Sequence, residues 1–132
     1  MRNRPTLTTA DAQKMMAACK AEAQKNKWNV SIAILDDAGV LMMFERLEGA
    51  GPATAAVSQG KATAAVMTRR PSKFLEDRLK DRPGFLNFPA GIPIQGGVPV
   101  MYQGECVGAI GVSGVQSHED EQIANAGAAA VA

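Results

Sequence analysis

The strongest constraint on the fold is a glycine-rich stretch in the last third of the chain. Six glycines fall within the 19 residues from 96 to 114, in a segment otherwise rich in valine and isoleucine. A β-hairpin needs one glycine at its turn, here at Gln103-Gly104. Further glycines inside strands cost backbone entropy and mark bulges, tight packing or close approach of a ligand. The segment predicts strands at about 94–102 and 105–113, with a binding surface beside them.

The rest of the chain alternates between helical and strand periodicity. Thr8 with Asp11, and Ser117 with Asp120, have the spacing of capping boxes at helix starts. The predicted elements are, in order, a helix at about 8–26, a hairpin whose second strand is 40–47, helices at about 53–70 and 72–80, an ordered loop at 82–93, the glycine-rich hairpin, and a last helix opening at Ser117. These elements predict a single α+β domain over 1–132, with one antiparallel sheet flanked by helices.

Composition excludes several classes of partner. The 132 residues carry a net charge of +1, which predicts no binding to nucleic acid or to an anionic membrane. No apolar targeting segment is visible near the N-terminus, so a cytoplasmic location is expected. One histidine and two separated cysteines do not have the spacing of a zinc site. We therefore expect no protein-held metal centre.

Lys61 and Arg46 are the cations with the clearest reason to bind an anion. Helical spacing puts Lys61 beside Val57 and Ala64, on the stripe that faces the sheet. Its ammonium either meets an anionic ligand or extends to solvent from a buried stem. Arg46 closes a predicted strand, and its guanidinium either grips a ligand carboxylate or pairs with a nearby acid.

Backbone groups and three further side chains complete the candidate site. Gly96-Gly97 and Ser113-Gly114 can present consecutive N–H groups to a carboxylate. Alternatively, the second of these glycine sets simply lets the last helix pack closely on the sheet. Glu48 is a candidate general base or a solvated acid. His118 is a candidate acid–base group or an ordinary surface residue in a first helical turn.

Five ordered motifs resemble the GlcG/HbpS family, whose members include haem-degrading proteins and the PduO C-terminal domain. They are the segments 34–39, 46–50, 60–64, 93–99 and 108–114, the last followed by Asp120-Glu121. The resemblance implies a profilin-like, five-stranded antiparallel sheet flanked by helices, and symmetric homo-oligomers, often octamers. It also implies association with haem or corrinoids and with gene clusters for small organic acids and aromatic catabolism. Histidine ligation of haem iron is not expected, because His118 is the sole histidine.

Two functions follow from these features. The first is an oligomeric binding protein for a small molecule such as haem, a related tetrapyrrole or another anionic ligand, held by Arg46, Lys61, the paired glycines and Ser113. The alternative is an enzyme, a hydrolase, deaminase or isomerase acting on a small unsaturated carboxylic acid. In that case Arg46 and Lys61 hold carboxylates while Lys61, His118 or Glu48 moves protons. A structural role in a larger complex is a third possibility.

Overall fold

The computed structural model describes residues 1–131, and it has the predicted order of elements. They are α1 (Thr9–Lys25), β1 (Ser31–Asp36), β2 (Leu41–Arg46), α2 (Ala53–Thr68), α3 (Lys73–Arg78), a 3-10 helix (Pro83–Asn87), β3 (Gly97–Tyr102), β4 (Glu105–Ser113) and α4 (Ser117–Ala129). The main shift is at β3, which begins three residues later than predicted.

The strands form one antiparallel sheet in the order β2-β1-β4-β3. The two hairpins join through β1 and β4, which pair from Ser31 with Ser113 to Asp36 with Gly108. The α+β class is confirmed, but the prediction of five strands is wrong: residues 1–131 contain four. The segment 94–96, predicted as the start of a strand, is instead a bent segment that leads into β3.

Side chains of the central strands alternate between two cores. Ile32 and Ile34 of β1 belong to the larger cluster, which packs against α1 and α4. Leu35 points to the opposite face and packs with Ala62 and Val66 of α2. This alternation follows the two-residue period of a strand. Because α2 contributes mostly alanine to its core, it can lie close to the sheet.

Glycines make that close approach of α2 possible. A Cβ atom at Gly111 would overlap the carbonyl oxygen of Ser58 and would lie 2.6 Å from the amide nitrogen of Ala62. A Cβ at Gly97 would likewise overlap the carbonyl oxygen of Lys61. Packing against α2 thus explains both glycines. At Gly114, where close packing of the last helix was expected, a Cβ would instead meet the backbone of Asn29 and Val30.

The two predicted capping boxes have different outcomes. At α1 the box is confirmed, since the Asp11 amide donates to Thr8 Oγ1 at 3.2 Å and the Thr8 amide donates to Asp11 Oδ2 at 2.9 Å. At α4 the predicted pairing of Ser117 with Asp120 is wrong by one residue. The cap there is Gln116, whose amide donates to Glu119 Oε1 at 3.1 Å. Asp120 is therefore free to turn inward.

Candidate functional site

The sheet-facing side of α2 carries a buried ion pair. Helical spacing turns Lys61 toward the sheet, as predicted, and Lys61 is only 3% exposed. The Lys61 ammonium donates to Asp120 Oδ2 at 2.9 Å and to the carbonyl oxygen of Val112 at 3.1 Å. Asp120 is 1% exposed. The pair therefore connects α2, the end of β4 and the first turn of α4 through one buried contact.

The Asp120 carboxylate also binds the backbone at the start of α4. Its Oδ1 atom accepts from the Val115 amide at 3.1 Å. Burial raises the pKa of the Asp120 carboxyl above its ordinary value, while Lys61 and the backbone donors oppose that change. The N-terminal end of α4 favours a negative charge at this place. The Lys61 ammonium is thus paired with a carboxylate of the chain itself.

Several of the predicted binding residues lie around this pair. A Cβ at Gly96 would be 2.8 Å from Lys61 Nζ, so the glycine leaves room for the ammonium. Ser113 is buried at the end of β4 and Gly114 follows with a φ of 151°. The structure brings Lys61, Gly96, Gly97, Ser113 and Gly114 into one region. Their roles toward a ligand stay predictions.

Arg46 lies at the same end of the sheet but on its open margin. It pairs in register with Ser31, which itself pairs with Ser113. The Ser31 hydroxyl bonds to Thr54 of α2 at 2.8 Å, so Arg46 lies on the α2 side of the sheet. Arg46 is exposed, and within residues 1–131 it forms no salt bridge with Glu48 or Asp36. Its guanidinium is accessible to an anion.

Glu48 and His118 are both exposed and lie apart from the buried pair. Glu48 lines a pocket of about 350 Å³ together with Gln24, Lys27, Trp28, Asn29 and Leu47. His118 is in the first turn of α4, two residues before Asp120, but it points to solvent. No hydrogen bond joins any two of Lys61, Glu48 and His118 in the part of the chain that the structure describes.

A second pocket, of about 280 Å³, lies between the N-terminal segment and the tip of the second hairpin. It is lined by Pro5, Thr6, Leu7, Asp11, Tyr102, Val107 and Val131. Tyr102 and Trp28 are therefore site candidates that the sequence analysis missed, as is Asp120. A lone aromatic residue next to a turn gives no periodic signal. Asp120 did have a sequence signal, because it falls in the first turn of a predicted helix that closely follows the glycine-rich strand.

Among residues 1–131 no three histidine, cysteine, aspartate or glutamate side chains are grouped to hold a metal ion. None of the helices in that range is both long and apolar enough to cross a membrane. The fold and the sites define a small α+β domain with pockets at the ends of its sheet and an ion pair sealed inside.

The family of this domain can be identified. Residues 7–129 match the family described as haem degrading protein HbpS-like. The chain belongs to this family, as its motifs predicted. The protein GlcG of Escherichia coli K12 is 40% identical over 114 residues, which cover 86% of this chain and 85% of GlcG.

Solved structures agree with that assignment. A double mutant of HbpS from Streptomyces reticuli superposes with a TM-score of 0.92 at 34% identity, covering all of this chain and 91% of HbpS. The haem complex of PduOC has a TM-score of 0.87 at 23% identity, with 96% of each chain covered. At that identity the PduOC likeness establishes the fold alone.

Proposed function

We propose that the protein binds haem or a closely related tetrapyrrole, and that it does so as a homo-oligomer. The observation that carries the proposal is the family match over residues 7–129, to a family described by its action on haem. A solved haem complex with the same fold supports it. Bound haem would supply redox or ligand-binding chemistry at its iron, and the chain's own residues would set its position.

A ligand of this size fits better on the exposed surface of the protein than in one of its pockets. Pockets for small molecules commonly span about 300–1,000 Å³, and the two pockets here are about 280 and 350 Å³. Large apolar side chains are nevertheless exposed, among them Met67, Leu86, Phe88, Met101 and Tyr102. A flat apolar ligand would lie on one of these surfaces, and a second subunit would cover it.

Suitable iron ligands and anion partners are present. Methionine, tyrosine and histidine all ligate haem iron in proteins, and Met67, Met101, Tyr102 and His118 are exposed. We propose ligation without His118, which is in the first turn of α4, whereas the other candidates lie at the end of α2 and in β3. Arg46 is the predicted binding residue that is most accessible to a carboxylate. Lys61 and the surrounding glycines would act mainly by holding α2 and α4 in place.

The enzymatic alternative has no comparable support. The Lys61 ammonium is buried and bound to the Asp120 carboxylate, whereas Glu48 and His118 are exposed at separate places. A general acid–base pair needs both groups within hydrogen-bond reach of one substrate. No observation in residues 1–131 favours such a pair, so we propose haem binding in preference to acid–base catalysis on a small unsaturated acid.

Titration of the purified protein with haemin tests the proposal. We expect a saturable Soret band from the wild-type protein. The His118→Ala variant should give the same band, whereas Tyr102→Phe and Met101→Leu identify the ligand if either changes the spectrum. Free haemin absorbance at every protein concentration would overturn the proposed function. A histidine-type spectrum that disappears in His118→Ala would overturn the ligation proposed here.

A further inference from the structure

Arginine and phenylalanine side chains stack around α3 and the segments on either side of it. The guanidinium carbon of Arg70 lies 4.5 Å from the centroid of the Phe74 ring, and that of Arg78 lies 4.8 Å from the same centroid. Phe74 and Arg78 are four residues apart on α3 and so share a face, whereas Arg70 reaches the same ring from the segment between α2 and α3. The Phe74 ring therefore makes cation–π contacts with two guanidinium groups.

The stacking continues beyond α3. The Arg82 amide donates to the Arg78 carbonyl at 2.8 Å, and the Arg82 guanidinium lies 5.4 Å from the centroid of the Phe85 ring. Phe85 meets Phe88 edge to face, with centroids 5.8 Å apart. We call the set Arg70, Phe74, Arg78, Arg82, Phe85 and Phe88 the arginine–phenylalanine ridge. Its far end is apolar, since Phe88 is 44% exposed and neighbouring Leu86 is 67% exposed.

The three arginines of the ridge are exposed, and none of them forms a salt bridge or a side-chain hydrogen bond within residues 1–131. Lys73, on the same helix, is by contrast bound to Asp77 at 2.9 Å. Two guanidinium groups that share one ring repel each other, and a bound anion would remove that repulsion. Cation–π contacts meanwhile fix the positions of both groups before any ligand arrives.

We propose that the ridge binds the carboxylates of a flat apolar dianion, such as the two propionates of haem. This inference rests on the function proposed above and names the binding surface. Arg70 and Arg78 each present a planar fork that matches a carboxylate, while Leu86 and Phe88 contact the apolar macrocycle. An extended polyanion fits less well, because a nucleic-acid surface needs a wider basic area than a chain of net charge +1 offers.

The test compares haemin with its dimethyl ester, which keeps the macrocycle but lacks the carboxylates. We expect wild-type protein to prefer haemin by roughly tenfold, the effect of exposed charge-assisted contacts. The double variant Arg70→Gln/Arg78→Gln should lose this preference and bind both compounds alike. Lys14→Gln/Lys25→Gln removes the same charge from exposed positions on α1 and should keep the preference. Circular dichroism checks that each variant is folded.

The outcomes separate the ridge from the wider proposal. If wild-type protein binds neither compound, the proposed function and the ridge are both wrong. If it binds haemin but the double variant keeps the full preference, the ridge is wrong and haem binding stands. If the double variant instead loses affinity for phosphatidylserine vesicles with haemin binding unchanged, the ridge is a lipid contact and the proposal is wrong.

Discussion

Removing one member of the Lys61–Asp120 pair leaves the other charge buried without a partner. Loss of one partner from a buried ion pair destabilises a protein by about 3–5 kcal/mol. Lys61→Met keeps most of the apolar stem, so we expect a loss of that size in the free energy of unfolding. Urea denaturation followed by circular dichroism measures it.

The double variant Lys61→Met/Asp120→Asn is the control, since it removes both charges together and keeps an oxygen that accepts from the Val115 amide. Its stability should recover most of the loss, because no charge is left buried without a partner. A Lys61→Met protein of wild-type stability but weakened haemin affinity would contradict this account. It would instead support the ligand-binding role that the sequence predicts for Lys61.

The two cysteines should differ sharply in reactivity. Burial raises the pKa of the Cys19 thiol to about 12. Because its folded pKa is raised, the thiol contributes stability that is complete below its ordinary pKa and is lost as the pH rises through about 12. At pH 8 we expect iodoacetamide to label half-buried Cys106 and to leave Cys19 unmodified until urea unfolds the protein. Equal labelling of both in the native state would contradict the packing around Cys19.

The sequence predicts where Lys61 points but not what it meets. Direction follows from a period of 3.6 residues and is therefore local. Its partner is 59 residues away, and that contact depends on how α4 packs against the sheet. The error at the α4 cap has a related origin, because Gln116–Glu119 and Ser117–Asp120 have the same spacing. Only the inward turn of Asp120 distinguishes them.

At the scale of elements, the close contact between α2 and the sheet depends on glycines, which have no side chain. Gly111→Ala should destabilise the protein by at least about 3 kcal/mol, the upper end of ordinary overpacking, because its methyl group meets α2 backbone. Gly51→Ala is the matched control, since a Cβ there has nothing within 4 Å. Thermal unfolding of both variants measures the difference. Equal stability would mean that α2 can move away from β4 at little cost.

Element types were predictable because each has a local pattern. Two-residue alternation in 30–34 predicts β1, and the glycine at position 104 predicts the second hairpin. The strand order could not be derived in the same way. It depends on the pairing of β1 with β4, and those strands are separated by α2 and α3. The expected fifth strand came from resemblance and not from a pattern in these residues.

At the scale of the molecule, the candidate residues divide into a sealed group and an open group. Lys61, Asp120 and the glycines join three elements inside the protein, whereas Arg46 and the arginine–phenylalanine ridge are accessible. The sequence analysis named Lys61 and Arg46 as candidate cations, one in each group, and did not name the arginines of the ridge. It could not separate them, because burial depends on the packing of distant elements.

An apolar patch beside the β1–β2 turn supports self-association. The end of α2 lies against this turn, since Arg69 Nη1 donates to the Asp37 carbonyl at 2.9 Å. Val40, Leu41 and Met67 are 60%, 45% and 58% exposed there. Edge strand β2 lies at the same margin, where α2 leaves its face uncovered. Adjoining apolar groups at an open sheet edge are a usual site of subunit contact.

We therefore expect the protein to form a symmetric homo-oligomer, with eight subunits as the resemblance implies, and to do so through this patch. Light scattering at micromolar concentration should give a mass well above the 13.8 kDa of one chain. Met67→Glu places a charge in the patch, which is expensive to bury, so that variant should dissociate while its circular dichroism is retained. Gln13→Glu adds the same charge at an exposed position on α1 and should leave the assembly intact. A wild-type mass of one chain would refute assembly itself, and an undisturbed Met67→Glu oligomer would place the contact on another surface.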